Sequence, residues 1–217
     1  MNDNVFREID EELRRDRLLA LWQRYGRLVI VGAVSLVVVV AAKVGWGEYD
    51  RRAGLEASLR YYTATELLQQ GNEDAARAAF VLIAEDGREG YATLARLHEA
   101  ALLSAKGDTE GAIRIYNAVA EDGDTPATLR SLARILGAYR RIDREEPATL
   151  VSEVEPLTAE DSPWRHSALE ITALVAIRSG EKPKAREIYM GLAEDPDTPQ
   201  ALRQRAQDMA SALEGES

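Results

Sequence analysis

Residues Gly107 to Pro126 read GDTEGAIRIYNAVAEDGDTP, and their reading decides the fold because the chain repeats them. Gly71 opens GNEDAARAAFVLIAEDG and Gly180 opens GEKPKAREIYMGLAEDPDTP. Asp143 holds the remaining place, so the landmarks are 36, 36 and 37 residues apart. Five positions after each comes an alanine: Ala76, Ala112, Ala148 and Ala185. Nine positions after come Phe80, Tyr116 and Tyr189, with Ser152 as the exception. Then Ala84, Ala120 and Ala193 each begin the string Ala-Glu-Asp, where the third unit has Pro156. Matches at this many offsets mark an internal repeat.

Each landmark has a physical task. Gly71, Gly107 and Gly180 can take the left-handed conformation that closes a helix, and Asn72 and Asp108 can cap the next one. Thr125-Pro126, Ser162-Pro163 and Thr198-Pro199 predict helix starts, with the hydroxyl at the N-cap and proline in the first turn. Ala112, Ile115, Tyr116 and Val119 share one helical face, as do Ala185, Ile188, Tyr189 and Leu192. Ala64, Ala100 and Ala173 let the paired first helices approach closely. One helix pair cannot bury such a face by itself, so the units must stack into a solenoid.

The spacing predicts four helix pairs, at Leu55–Gly90, Tyr91–Pro126, Ala127–Pro163 and Trp164–Pro199. A polar closing helix follows over Gln200–Leu213. The third pair is degenerate: it has no glycine, Pro147 opens its second helix, and Val151, Val154 and Leu157 replace the aromatic pattern.

Ahead of the repeats lies Leu28–Trp46, LVIVGAVSLVVVVAAKVGW, with fifteen uncharged residues from Leu28 to Ala42. Its Leu, Ile and Val residues favour membrane insertion by about 3–6 kcal/mol, more than Lys43 costs near one end, where it can snorkel. The expected organisation is a segment 1–27, a transmembrane helix 28–47 bounded by Leu28, Val40, Lys43 and Trp46, and a repeat domain 48–217. Val40-Ala41-Ala42 offers small residues for a signal peptidase, but 27 residues, twelve of them charged, precede the run, so an uncleaved anchor is the better reading. Residues 1–27 space Phe6, Ile9, Leu13, Leu18, Leu21, Trp22 and Tyr25 as an amphipathic helix. Six arginines lie there, against Arg51, Arg52 and Arg60 just beyond the span. That bias keeps the N-terminus in the cytoplasm and exports the repeat domain.

The 20 basic and 31 acidic residues after Trp46 leave a net charge of −11. Such acidity argues against nucleic acid and anionic lipid as partners of the repeats. Cysteine is absent, which removes disulfides, thiolate metal sites and thiol nucleophiles. His98 and His166 lack the spacing of a helical metal motif, and no glutamate stands in a setting that nominates an acid catalyst. The Ala-Glu-Asp strings follow the repeat and read as structural. The expectation is a non-enzyme with no cofactor and no catalytic or metal site.

The unit of small residue, aromatic and alanine resembles the tetratricopeptide repeat, although it is about 36 residues long and its large early aromatic survives only as Tyr91 or Trp164. The fold class implied is all-α, one transmembrane helix followed by a TPR-like solenoid. Together with the stretches DEELRRD (Asp10–Asp16) and LWQRYG (Leu21–Gly26), the architecture resembles the YfgM-like family. That resemblance implies a bacterial inner-membrane protein with a periplasmic domain. It implies association with the SecYEG translocon and a membrane-anchored periplasmic chaperone, in aid of newly exported proteins. The same architecture would also serve as a scaffold for envelope assembly, cell division or signalling. Repeat arrays usually hold partners along their first helices, which makes Tyr61, Tyr62, Arg96, Arg134, Tyr139 and Arg165 candidates for a binding face.

Overall fold

The computed structural model describes Lys43 and residues 54–86 and 89–215. The expected segment 1–27 and the expected span 28–47 lie outside the described residues except for Lys43, which is helical and exposed. Among the described residues no helix is long and apolar enough to cross a membrane. Compact units divide at Glu56 and Ala57, and the repeats belong to the second, Ala57–Ser217.

All regular structure among the described residues is helical. The helices are α1 (54–69), α2 (Glu73–Glu85), α3 (Glu89–Ala105), α4 (Thr109–Glu121), α5 (Ala127–Arg141), α6 (Pro147–Val154), α7 (Arg165–Arg178), α8 (Lys182–Glu194) and α9 (Gln200–Glu214). A 3₁₀ turn, Glu155–Thr158, extends α6. Consecutive helices pack on one another, and α5 also meets α7 because α6 is short.

The helix-pair turns are built alike. Gly71, Gly107 and Gly180 have φ of +77°, +87° and +77°. At the first, the Gly71 N–H donates to Leu68 O at 3.0 Å and the Asn72 N–H to Leu67 O at 2.9 Å, the pair of bonds that closes a helix around a left-handed residue. Gly107 with Asp108 and Gly180 with Glu181 repeat both bonds. Asn72 then accepts from the Ala75 N–H, and Asp108 from the Gly111 N–H at 2.8 Å, which caps the next helix.

The third turn is made differently. Among the described residues no non-glycine residue has positive φ, so Asp143 does not imitate the glycines. The chain instead tightens, with the Arg144 and Glu145 N–H groups donating to Arg141 O at 2.9 Å. Arg178, one helix pair later, donates to the carbonyls of Ile142 and Glu145, supplying donors to a helix end without the glycine closure.

The proline starts differ from expectation too. Pro126 and Pro199 are themselves the N-caps of α5 and α9, without side-chain capping bonds, and Thr125 and Thr198 lie one residue earlier, buried. The hydroxyl at Thr125 is drawn away by Asp122, to whose Oδ2 it donates at 3.0 Å. Ser162 behaves otherwise: its hydroxyl accepts from the Trp164 N–H at 3.2 Å, ahead of α7.

Four buried clusters run along the array. Phe80 and Ala76 anchor the first with Ala64, Ala95 and Leu102. Tyr116, Ala112 and Val119 anchor the second with Ala100 and Ala133. In the third, Leu150, Val154 and Leu157 replace the aromatic pattern, and Val151 is only partly buried. Tyr189 and Ala185 anchor the fourth with Ala173 and Ala206. Each cluster joins one second helix to the first helices on both sides of it, which is why stacking rather than the isolated pair supplies the burial.

Candidate interaction surface

The recurring Ala-Glu-Asp string has a recurring partner. Its aspartate pairs with an arginine from the first helix of the same unit: Arg60 with Asp86 at 3.0 Å, Arg96 with Asp122 at 3.7 Å and Arg165 with Asp195 at 2.9 Å. Asp122 and Asp195 also receive the N–H of the residue two positions on, Asp124 and Asp197. Those backbone bonds lead the causes holding both carboxyls below the usual carboxylate range, with Thr125 adding to the first and His166 to the second. The loops after them share a further device. Arg130 donates to Thr125 O at 2.5 Å, and Arg203 to Thr198 O at 2.8 Å. Their common spelling, Asp-x-Asp-Thr-Pro-x-x-Leu-Arg at 122–130 and 195–203, is a structural signature of the inter-unit corner.

The six candidate face residues do not share one surface role. Tyr61 and Tyr139 are turned into the packing. Tyr61 lies among Phe80, Tyr91 and His98, 2.8 Å from His98 Nε2, and burial raises its hydroxyl pKa. Tyr139 donates to Glu170 Oε2 at 2.5 Å, and burial followed by that bond pushes its pKa up further. Arg96 and Arg165 belong to the ion pairs just described. Tyr62 and Arg134 are exposed.

Sequence reasoning missed Glu170. Only 6 % exposed, it receives a fork from Arg205, Nε to Oε1 and Nη2 to Oε2 both at 3.1 Å, besides the Tyr139 hydroxyl. The signal was present: from Ser167 to Ile177 it is the sole charged residue. Its environment raises Tyr189 to about 12, burial first and the Glu170 charge second. Because its oxygens are already engaged by neighbours in the fold, the group fastens α9 to the array. His98, likewise, is stacked on Phe80 with ring centroids 4.7 Å apart, and burial lowers its pKa. His166 pairs with Asp195 at 3.1 Å. Among the described residues no cluster of histidine and carboxylate has the makings of a metal site.

The exposed large apolar side chains among the described residues are Leu55, Leu59, Tyr62, Leu82 and Met190. Three of these lie on α1. On α2, Leu82 stands between two shallow depressions, about 300 Å³ beside Arg60, Thr63 and Ile83, and about 420 Å³ beside Arg77 and Val81. Apart from Met190 on α8, the exposed large apolar side chains among the described residues are therefore gathered at the first helix pair.

No curated protein matches the chain. A family does. The Tetratricopeptide repeat-like domain matches residues 20–211, nearly the whole of the 217, and covers the four pairs described above. Arrays of this type generally present extended surfaces that bind other proteins. On its repeat, its helix-pair architecture and this match, the chain belongs to the Tetratricopeptide repeat-like domain family.

Proposed function

We propose that this protein is a membrane-anchored interaction module of the YfgM-like kind, an ancillary component of the Sec translocon and its chaperone network. Its array would stand in the periplasm and assist newly exported proteins. The observation that carries the reading is the apolar run Leu28–Trp46 directly ahead of the array, with six arginines on its N-terminal side. The family match begins at residue 20, upstream of that run, which supports reading the run and the array as parts of one family's architecture. Residues 1–27 would remain cytoplasmic.

The test is affinity purification of the full-length chain in mild detergent, identifying what co-elutes. A matched control carries residues 48–217 exported by a foreign signal. Translocon subunits and a periplasmic chaperone with the full-length chain support the proposal, and the control shows whether the anchor is needed. Division, envelope or signalling proteins in their place would leave the scaffold standing and sink the translocon assignment. A reporter fused after Leu213 that is active only in the cytoplasm would overturn the orientation.

A further inference from the structure

Every stacked first helix has the same notch. An alanine, followed three residues later by a larger side chain, lies under the preceding second helix: Ala95 and His98, Ala133 and Leu136, Ala168 and Ile171, Ala206 and Met209. All four alanines are fully buried. In the second unit His98 takes the Phe80 ring face to face, and in the third Ala133 and Leu136 lie in the Tyr116 cluster. The pairs Arg60–Asp86 and Arg96–Asp122, together with Gly71 and Gly107, fix a register of 36 residues between the first two units. That register sets Leu59 and Tyr62 of α1 at the places of Ala95 and His98.

These two residues are 67 % and 65 % exposed. Among the described residues no second helix precedes α1 to cover them. The opposite end of the array is closed by α9, whose uncovered side presents Gln204, Gln207 and Asp208, the polar finish expected of a terminal repeat. Among the described residues the α1 end has no such finish. Moreover, leucine has replaced the alanine on which an aromatic second helix would seat, so a further repeat would be held away. A helix carrying its own Leu and Tyr stripe fits at the usual interaxial distance of about 8–10 Å.

We propose that α1 pairs with α1 of a second copy through Leu59 and Tyr62, forming a two-fold symmetric dimer. The stacking interface that runs through the array then continues across the symmetry axis. A second copy offers its largest exposed apolar surface at the same helix, so the contact is isologous. The chain's own residues 48–53, between the expected span and α1, are too few in number to supply a covering helix. That exclusion, and the confinement of both copies in one membrane plane, rest on the anchored reading proposed above.

The chain contains no cysteine, so single thiols report cleanly. Full-length Leu59→Cys and Leu82→Cys variants are reconstituted in lipid vesicles and mildly oxidised. Leu82 has the same 67 % exposure but lies on α2. The expected result is a disulfide-linked dimer for Leu59→Cys, at least fivefold above Leu82→Cys, and loss of that excess when Tyr62→Glu is added. Equal crosslinking at both positions, or none at Leu59→Cys, overturns the dimer. Quenching of a fluorophore on the Leu59→Cys thiol by nitroxide lipids, without dimer, also overturns it and assigns the face to the bilayer. Alkaline extraction of the same vesicles reports separately on the span, so a chain that washes off yet crosslinks sinks the anchor and keeps the dimer.

Discussion

Removing the exposed partner of the Glu170–Arg205 pair is expected to cost more than neutralising the buried one. Glu170 has a side chain 8 % exposed, whereas that of Arg205 is 58 % exposed. Arg205→Met leaves a carboxylate buried without its counter-charge. Breaking a buried pair in this way costs about 3–5 kcal/mol, and solvent around the guanidinium brings the expectation here to about 2–3 kcal/mol. Glu170→Gln keeps an acceptor for the Tyr139 hydroxyl and removes the charge, for about 1–2 kcal/mol. In the Glu170→Gln background, Arg205→Met no longer strands an ion and should cost under about 1 kcal/mol. The assay is thermal unfolding of the full chain in mild detergent, followed by far-UV circular dichroism. At about 2–4 °C per kcal/mol, Arg205→Met lowers Tm by about 4–12 °C, and most of that loss disappears in the double variant. Amide exchange should locate the loss in α9. Equal costs for Arg205→Met in both backgrounds would refute the reasoning, because the two side chains would then act independently.

Other outcomes follow from the same structure. The folded pKa of His98 lies below its ordinary 6.5, so its stability contribution is full above 6.5 and declines as pH falls through that value; Tm measured against pH should drop there, and less steeply in His98→Phe. Tyr189 has its folded pKa raised from 10.0 to about 12, so stability present below pH 10 is lost as pH rises toward 12; Tyr189→Phe should flatten that alkaline decline. Gly107→Ala, at φ +87°, should cost about 1–2 kcal/mol by chemical denaturation, while Asp143→Gly brings no gain because that turn has no left-handed residue. A Cβ on Gly111 would lie 2.4 Å from Asp108 Oδ2; Gly111→Ala should therefore cost about 0.5–2 kcal/mol, and little more when combined with Asp108→Ala, in the same denaturation assay.

The repeat and its helix pairs were legible in the sequence because they depend on local chemistry. Gly71, Gly107 and Gly180 end helices through a backbone conformation that glycine alone adopts without strain, and the alanine-to-aromatic spacing places one face toward neighbours whatever those neighbours are. The closing helix was legible from its polar residues for the same reason. Asp143 was misleading, since an equal interval does not carry an equal φ, and the Thr-Pro hydroxyls were misleading because Asp122 competes for the one on Thr125. The candidate face was legible least. Tyr61, Tyr139, Arg96 and Arg165 sit on the predicted helices, yet whether each meets solvent depends on side chains tens of residues away.

What the sequence determined by itself is thus the unit: its length, its helix ends, its buried aromatic and the need to stack. Tertiary structure decided which charges are spent inside the array. It joined Glu170 to Arg205 across 35 residues and Arg178 to the turn after α5 across 36. It also decided which apolar stripe remains uncovered among the described residues. Leu59 and Tyr62 follow the same helical periodicity as their buried counterparts, and only the order of helices in space leaves them exposed. Periodicity specifies the direction of a side chain, whereas burial requires a second element in that direction.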